Sequence, residues 1–130
     1  MRVFRKLFVL LLLAPLCAFG QALEHEVKAA YLFRFLSFVE WPQSSFARPD
    51  SPIVIGVLGA EDVLEELRAI VPGRVVQGRP VAAQRVSLDG RPGAALAGVH
   101  VLFVGRDAAA LLSRLPPARG LLVVSDSERG

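Results

Sequence analysis

Three short runs constrain this chain more than any other feature. They are PIVIGVLG from Pro52 to Gly59, VHVLFVG from Val99 to Gly105, and the run from Leu121 to Val124 within GLLVVSD. Each is almost uncharged and rich in β-branched residues. A strand with one wet face alternates apolar and polar residues, whereas a continuous apolar run is expected of a strand covered on both faces, as in a parallel sheet. Segments of different character separate these runs. AEDVLEELRAI predicts a short helix with acidic residues in its first turn, where the macrodipole favours them, and Val71-Pro72-Gly73 breaks it. Gln77-Gly78 predicts a tight turn, followed by a weaker strand from Pro80 to Ser87. LDGRPGAALAG reads as a loop with one helical turn. Asp107 is placed to cap a helix from Ala108 to Leu115, which Pro116-Pro117 ends. This alternation predicts an α/β fold, a mostly parallel sheet covered by helices and joined by right-handed crossovers. The chain ends at Gly130, soon after its last strand, and leaves that strand near an open edge of a kind that folded proteins protect. The reading is therefore a domain covered at that edge by another chain, or one lacking its C-terminal strand and helix.

Residues 1–22 precede this domain. Arg2, Arg5 and Lys6 form a positive start, an apolar run extends from Leu7 to Phe19, and small residues stand at Ala18, Gly20 and Ala22. This is the pattern of a cleavable signal peptide, and the run is shorter than the ~20 residues that span a bilayer. Cleavage is expected after Ala22, with Gly20 as the alternative. A lipid-anchored reading through Cys17 is disfavoured by Pro15 and Leu16, which stand where small residues are needed. The mature chain, residues 23–130, then reads as a single periplasmic domain with no stable membrane insertion. The precursor carries 15 basic and 12 acidic residues. Removing Arg2, Arg5 and Lys6 leaves 12 of each, so the basic character belongs to the export signal. Nucleic-acid binding, which needs a basic surface, is not expected. The sole cysteine lies in the signal, so the mature domain has neither a disulfide nor a thiol.

The first mature helix is unusually apolar. Leu23 to Glu40 reads as one helix, stopped by Pro42 because the residue before a proline is pushed out of the α region. On a helical wheel, Val27, Tyr31, Leu32, Phe35, Leu36, Phe38 and Val39 fall within one half, and Glu26, Arg34, Ser37 and Glu40 within the other. The first set is the expected core face. Phe33 and Trp41 are left on the polar side. Two readings remain open for them. They are exposed anchors for a protein partner, with Glu40 and Arg34 on the rim, or the loop PQSSFARPD folds back and covers them with Phe46.

Catalytic chemistry finds little support. Asp62, Asp107 and Asp126 follow three strand ends, where open α/β sheets bind ligands. They could border a small-molecule crevice, but capping and solvent exposure explain them more simply. No glycine-rich phosphate loop is present. His25 and His100 lack metal-spaced partners, and His100 on a buried strand reads as a core histidine. Ser125-Asp126 lacks a positioned base. No enzyme activity, metal or cofactor is expected.

The segments VKAAYLFRFLSFVEWP, IVIGVLGAEDV, VQGRPVAAQRV, GVHVLFVG and GLLVVSDSE, in that order from about Val27 to Glu128, resemble the YfiR-like family. The resemblance implies a non-enzymatic periplasmic protein that represses an inner-membrane diguanylate cyclase by binding its periplasmic part. It would thereby limit cyclic di-GMP signalling and biofilm output. It also implies dimers. Redox-responsive members carry cysteine pairs that this mature chain lacks. The family pattern continues beyond SDSE into a further strand and closing helix, which this sequence does not contain, so the expectation is a C-terminally truncated YfiR-like domain over residues 23–130. The expected partner-binding residues are Tyr31, Phe33, Phe38, Glu40 and Trp41. The alternative function is a periplasmic small-ligand sensor using the strand-end crevice.

Overall fold

The computed structural model describes residues 23–116 and 120–126. The export signal expected at 1–22, Pro117 of the helix-ending pair, and Glu128 lie outside the described residues. Helix α1 covers residues 23–35 and tightens into a 3-10 turn, Leu36–Phe38. A second 3-10 turn, Gln43–Ser45, leads into β1, Ile53–Leu58. There follow α2, Glu61–Ile70, and a hairpin of β2, Val75–Val76, with β3, Arg79–Arg85. Then come the single-turn α3, Pro92–Ala95, and β4, Val101–Val104. A 3-10 helix, Arg106–Arg114, precedes β5, Leu122–Ser125.

The strands lie in the order β2-β3-β1-β4-β5, with β3, β1, β4 and β5 parallel and β2 antiparallel to β3. The expected α/β architecture is therefore present. Its central strand β1 pairs through Ile55 with Ala83 of β3 and with Val101 of β4. Alternate residues of β1 enter separate cores. Ile53, Ile55 and Val57 pack with Ala29, Leu32 and Leu36 of α1 and with Val63, Leu64 and Leu67 of α2. Leu58 faces the opposite side with Leu102, Val104, Leu96 and Ala108. Burial on both faces explains why β1 and β4 read as continuous apolar runs, whereas β5, expected from its run to be covered likewise, alternates half-buried and exposed residues at its place on the sheet edge.

Two expectations need correcting. The segment after β4 is a 3-10 helix rather than an α-helix, and its N-cap is Gly105, with Asp107 in the first turn and no side-chain cap. The first helix is α-helical only through residue 35, and Val39 is already extended. By contrast, Gln77-Gly78 forms the expected tight turn. Both residues have positive φ, 52° and 76°, as a two-residue turn with right-handed strand twist requires.

Gly56 shows how tightly the second core closes. A methyl added there would lie 2.7 Å from Val86 Cγ2 and 3.0 Å from Val99 Cγ1. Overpacking of this kind costs about 1–3 kcal/mol. Gly56→Ala is expected to lower the urea midpoint accordingly. Gly93→Ala adds a methyl with nothing within 4 Å and is expected to leave the midpoint unchanged or slightly raised.

Candidate functional site

The apolar excess of α1 resolves into two faces. Ala29, Leu32 and Leu36 are buried and Phe33 is half-buried, a spacing of three, four and seven residues that points one stripe at the sheet. Leu23, Val27, Tyr31 and Phe35 recur every fourth residue on a neighbouring stripe and are exposed, as is Phe38. Tyr31 is 69% exposed and Phe38 82%. The wheel expectation that Val27, Tyr31, Phe35 and Phe38 form the core is thus overturned. Ala29, wholly buried with Leu32 and Leu36, marks the stripe that faces the core.

The two aromatics assigned to the polar side are held from within. Phe33 packs against the main core with the Arg74 guanidinium 5.9 Å from its ring centroid. Trp41 packs there too and meets His100 edge-on, with ring centroids 6.3 Å apart. The loop after Pro42 does fold back. Phe46 stacks on His100 at 4.5 Å, and Arg79 lies over the Phe46 ring at 3.6 Å. Arg79 Nη1 also donates to the carbonyls of Arg48 and Ser51, both at 3.0 Å. His100 is the buried anchor of this cluster. Its Nδ1 accepts from the Val54 amide at 3.0 Å, which places the ring proton on Nε2, where it donates to the Ser45 carbonyl at 3.0 Å. Both polar atoms are satisfied, as a core histidine requires. Gln77 closes the end of the first helix, its Nε2 donating to the carbonyls of Val39 at 2.7 Å and Leu36 at 3.4 Å.

Of the five expected partner-binding residues, the structure therefore leaves Tyr31, Phe38 and Glu40 at the surface and half-buries Phe33 and Trp41 beneath. Phe35 and Val27, assigned to the core from sequence, join the exposed set. An apolar groove of about 240 Å³ runs beside it, lined by Tyr31, Leu32, Phe35, Phe103, Val124 and the stem of Lys28. This groove separates α1 from the edge strand β5.

A second concavity, of about 370 Å³, lies at the carboxyl ends of β1, β4 and β5. Here Lys28 Nζ contacts Asp126 at 2.7 Å and Glu24 at 2.9 Å, and His25 Nε2 lies 3.3 Å from Asp62. Asp62 and Asp107 occupy first helical turns without making side-chain caps. Asp62 and Asp126 instead engage α1. The Lys28 ammonium is held above its ordinary value, first by its hydrogen bond to Asp126 and then by that to Glu24. Glu24 is held below its ordinary value by the Lys28 hydrogen bond and charge. Gly105 permits close chain approach here, since a methyl on it would lie 2.2 Å from the Gly59 carbonyl oxygen. Among the described residues, no three metal-ligating side chains converge, and no helix is long and apolar enough to cross a membrane.

The fold and its surfaces define a small α/β domain with a mostly parallel sheet, an aromatic-clasped first helix and, among the described residues, an exposed apolar stripe. Residues 25–130 match the model of the family described as YfiR/HmsC-like, and the chain belongs to that family. The family is periplasmic in general, regulatory rather than catalytic, and known for control of diguanylate cyclase signalling. No curated protein and no solved structure matches the chain.

Two predictions follow from this geometry. Trp41→Ala removes a half-buried ring from the His100 cluster and is expected to cost about 2–4 kcal/mol, toward the lower part of the range for aromatic truncation. Tyr31→Ala and Phe38→Ala are expected to stay within about 0.5 kcal/mol of the parent, and urea titration of the three variants checks the contrast. For the charged cluster, Glu24 contributes stability that is complete above its ordinary value of 4.5. That contribution is lost as pH falls through the depressed folded value. Lys28, raised above 10.5, contributes fully below that value and loses its contribution only at higher pH. Glu24→Gln should therefore flatten the acid limb of the melting temperature measured from roughly pH 7 to 3, while leaving the alkaline limb with the Lys28–Asp126 part.

Proposed function

We propose that this chain is exported to the periplasm and represses an inner-membrane diguanylate cyclase by binding that enzyme's periplasmic part. The observation that carries the reading is the exposed stripe of α1 in a member of a regulatory family. Tyr31 and Phe38 are its most exposed aromatics, Phe35 continues it, and Glu40 lies at its end. Phe33 and Trp41 then act from beneath by fixing the helix and the loop that follows it. Repression of this kind is stoichiometric. The protein must bind the inactive state of the cyclase more tightly than the active one, because equal affinity for both shifts nothing. A nearly complete switch needs a ratio of about 10⁴.

The test uses the purified mature protein and the periplasmic domain of each membrane diguanylate cyclase encoded in the same genome. Calorimetric titration is expected to find one that binds. Tyr31→Ala combined with Phe38→Ala should weaken that binding at least tenfold while the melting temperature stays near the parent's. Deleting the gene should raise cellular cyclic di-GMP. Unchanged cyclic di-GMP and no binding to any such domain would rule the proposal out.

The strand-end concavity supports a second reading, a sensor of small ligands. It sits between β1 and β4, where the chain leaves the sheet in opposite directions, the position at which open α/β sheets bind ligands. Its rim is mostly acidic, with Lys28 committed to Asp126 and Glu24, which favours amine-bearing ligands. A thermal-shift screen of such compounds without any protein partner tests it; a flat response rejects it.

A further inference from the structure

We propose that Gln77 is a positioning residue for partner binding: from the turn of the β2–β3 hairpin, its side chain fixes the end of α1 so that Phe38 meets the cyclase in one pose. The proposal rests on the reading of the chain as a stoichiometric repressor and names a residue that sets the affinity of its surface without belonging to it.

The backbone is the first argument. Gln77 has φ 52°, and among the described residues it is the one non-glycine residue with positive φ. In this left-handed region a Cβ crowds the backbone, and besides glycine only asparagine and aspartate visit it with any ease. Two-residue hairpin turns with two positive φ angles accordingly prefer Asn-Gly. Glutamine is a poor choice for the turn alone. A residue held in an unfavoured conformation at a defined contact points to a use for its side chain.

That use is the second argument. Gln77 Nε2 donates to the Val39 carbonyl at 2.7 Å and, at the long limit of 3.4 Å, to the Leu36 carbonyl. The last carbonyls of a helix have no partner within it, and these two bracket Phe38 in the chain. Asparagine in the same turn would be shorter by one C–C bond, ~1.5 Å, and would not reach Val39.

The segment that is held is the third argument. Phe38 is 82% exposed, and the backbone is already extended at Val39. Among the described residues, no main-chain hydrogen bond outside the helices and strands reaches residues 39–41. Trp41 anchors the far side by packing into the core, and Gln77 is the polar tie on the near side. Arg79, two residues along the same hairpin, donates to the carbonyls of Arg48 and Ser51 and lies over Phe46. One hairpin thus grips both ends of the connection from α1 to β1, at the edge of the sheet farthest from β5. A ring presented on a fixed segment loses less freedom on binding than one on a swinging segment.

Gln77→Asn and Gln77→Gly ease the turn and remove the tie, which permits a selective test on the purified mature protein. Both are expected to keep the parent's melting temperature within a few degrees. Trp41, the sole tryptophan of the chain, lies two residues past Val39, and its quenching by acrylamide should rise in both variants. Binding of the cyclase periplasmic domain should weaken about fivefold, the weight of one net hydrogen bond. In a Phe38→Ala background, Gln77→Asn should add less than about a further twofold, because both changes act through the same ring. If the domain binds both Gln77 variants as it binds the parent, positioning is wrong and the repressor reading stands. If the losses from Gln77→Asn and Phe38→Ala simply multiply, Gln77 acts independently of Phe38 and positioning is again wrong. If both variants fail to fold, Gln77 serves stability and the proposal is overturned. If no cyclase domain binds, the repressor reading falls and the proposal with it.

Discussion

A helix laid on a sheet can bury one stripe of its surface, and α1 carries apolar residues on two. This geometric limit organises the domain. The stripe of Ala29, Leu32 and Leu36 closes the core against Ile55, Val101 and Phe103, and the hydrophobic effect favours that contact by roughly 25 cal/mol for each Å² removed from water. The stripe of Leu23, Val27, Tyr31 and Phe35 has no such cover among the described residues. Rotating the helix to bury it would expose the first stripe. The outward face is therefore a consequence of the packing that holds the fold, and it is the surface proposed above for partner contact.

The clasp around His100 keeps that helix where it is. Trp41, Phe46 and Arg79 surround an imidazole whose two nitrogens are both engaged, one by the β1 backbone and one by the loop that follows the helix. Gln77, in the turn of the β2–β3 hairpin, reaches the carbonyls of Leu36 and Val39. Elements separated by tens of residues are thus fastened to one short segment, and its outer surface is presented on a supported frame. A preorganised surface loses less freedom on binding, which suits a regulator acting by contact alone.

Much of this architecture was legible in the residues. The runs of β1 and β4 announced strands buried on both faces, whereas the third run, β5, is only half-buried at Leu122 and Val124 and exposed at Val123 and Ser125; the Gln77-Gly78 pair announced a turn needing two positive φ angles. That the loop PQSSFARPD folds back with Phe46 was one of two readings left open for Phe33 and Trp41, and in the fold Phe46 and Trp41 both meet His100. The orientation of α1 was not legible, because a wheel weights bulky side chains and the burial of Ala29 depends on tertiary packing. The 3-10 geometry of Arg106–Arg114 and the use of Gly105 instead of Asp107 as its cap also depend on packing, here the close approach of Gly105 to Gly59. The acids after the strands were visible as a group, whereas the engagement of Asp62 and Asp126 with His25 and Lys28 of α1 required the fold. Apolar character predicted that α1 would be a contact element; only three dimensions could say which of its aromatics look outward.

Photo-crosslinking in intact cells tests the central claim most directly. A photoreactive phenylalanine analogue is placed at position 38, at position 31, or at Glu65 on the exposed side of α2. Adducts with a membrane diguanylate cyclase are expected from positions 38 and 31 and none from 65. Adducts from position 65 alone, or none from the α1 positions while the cyclase remains repressed, would contradict that claim.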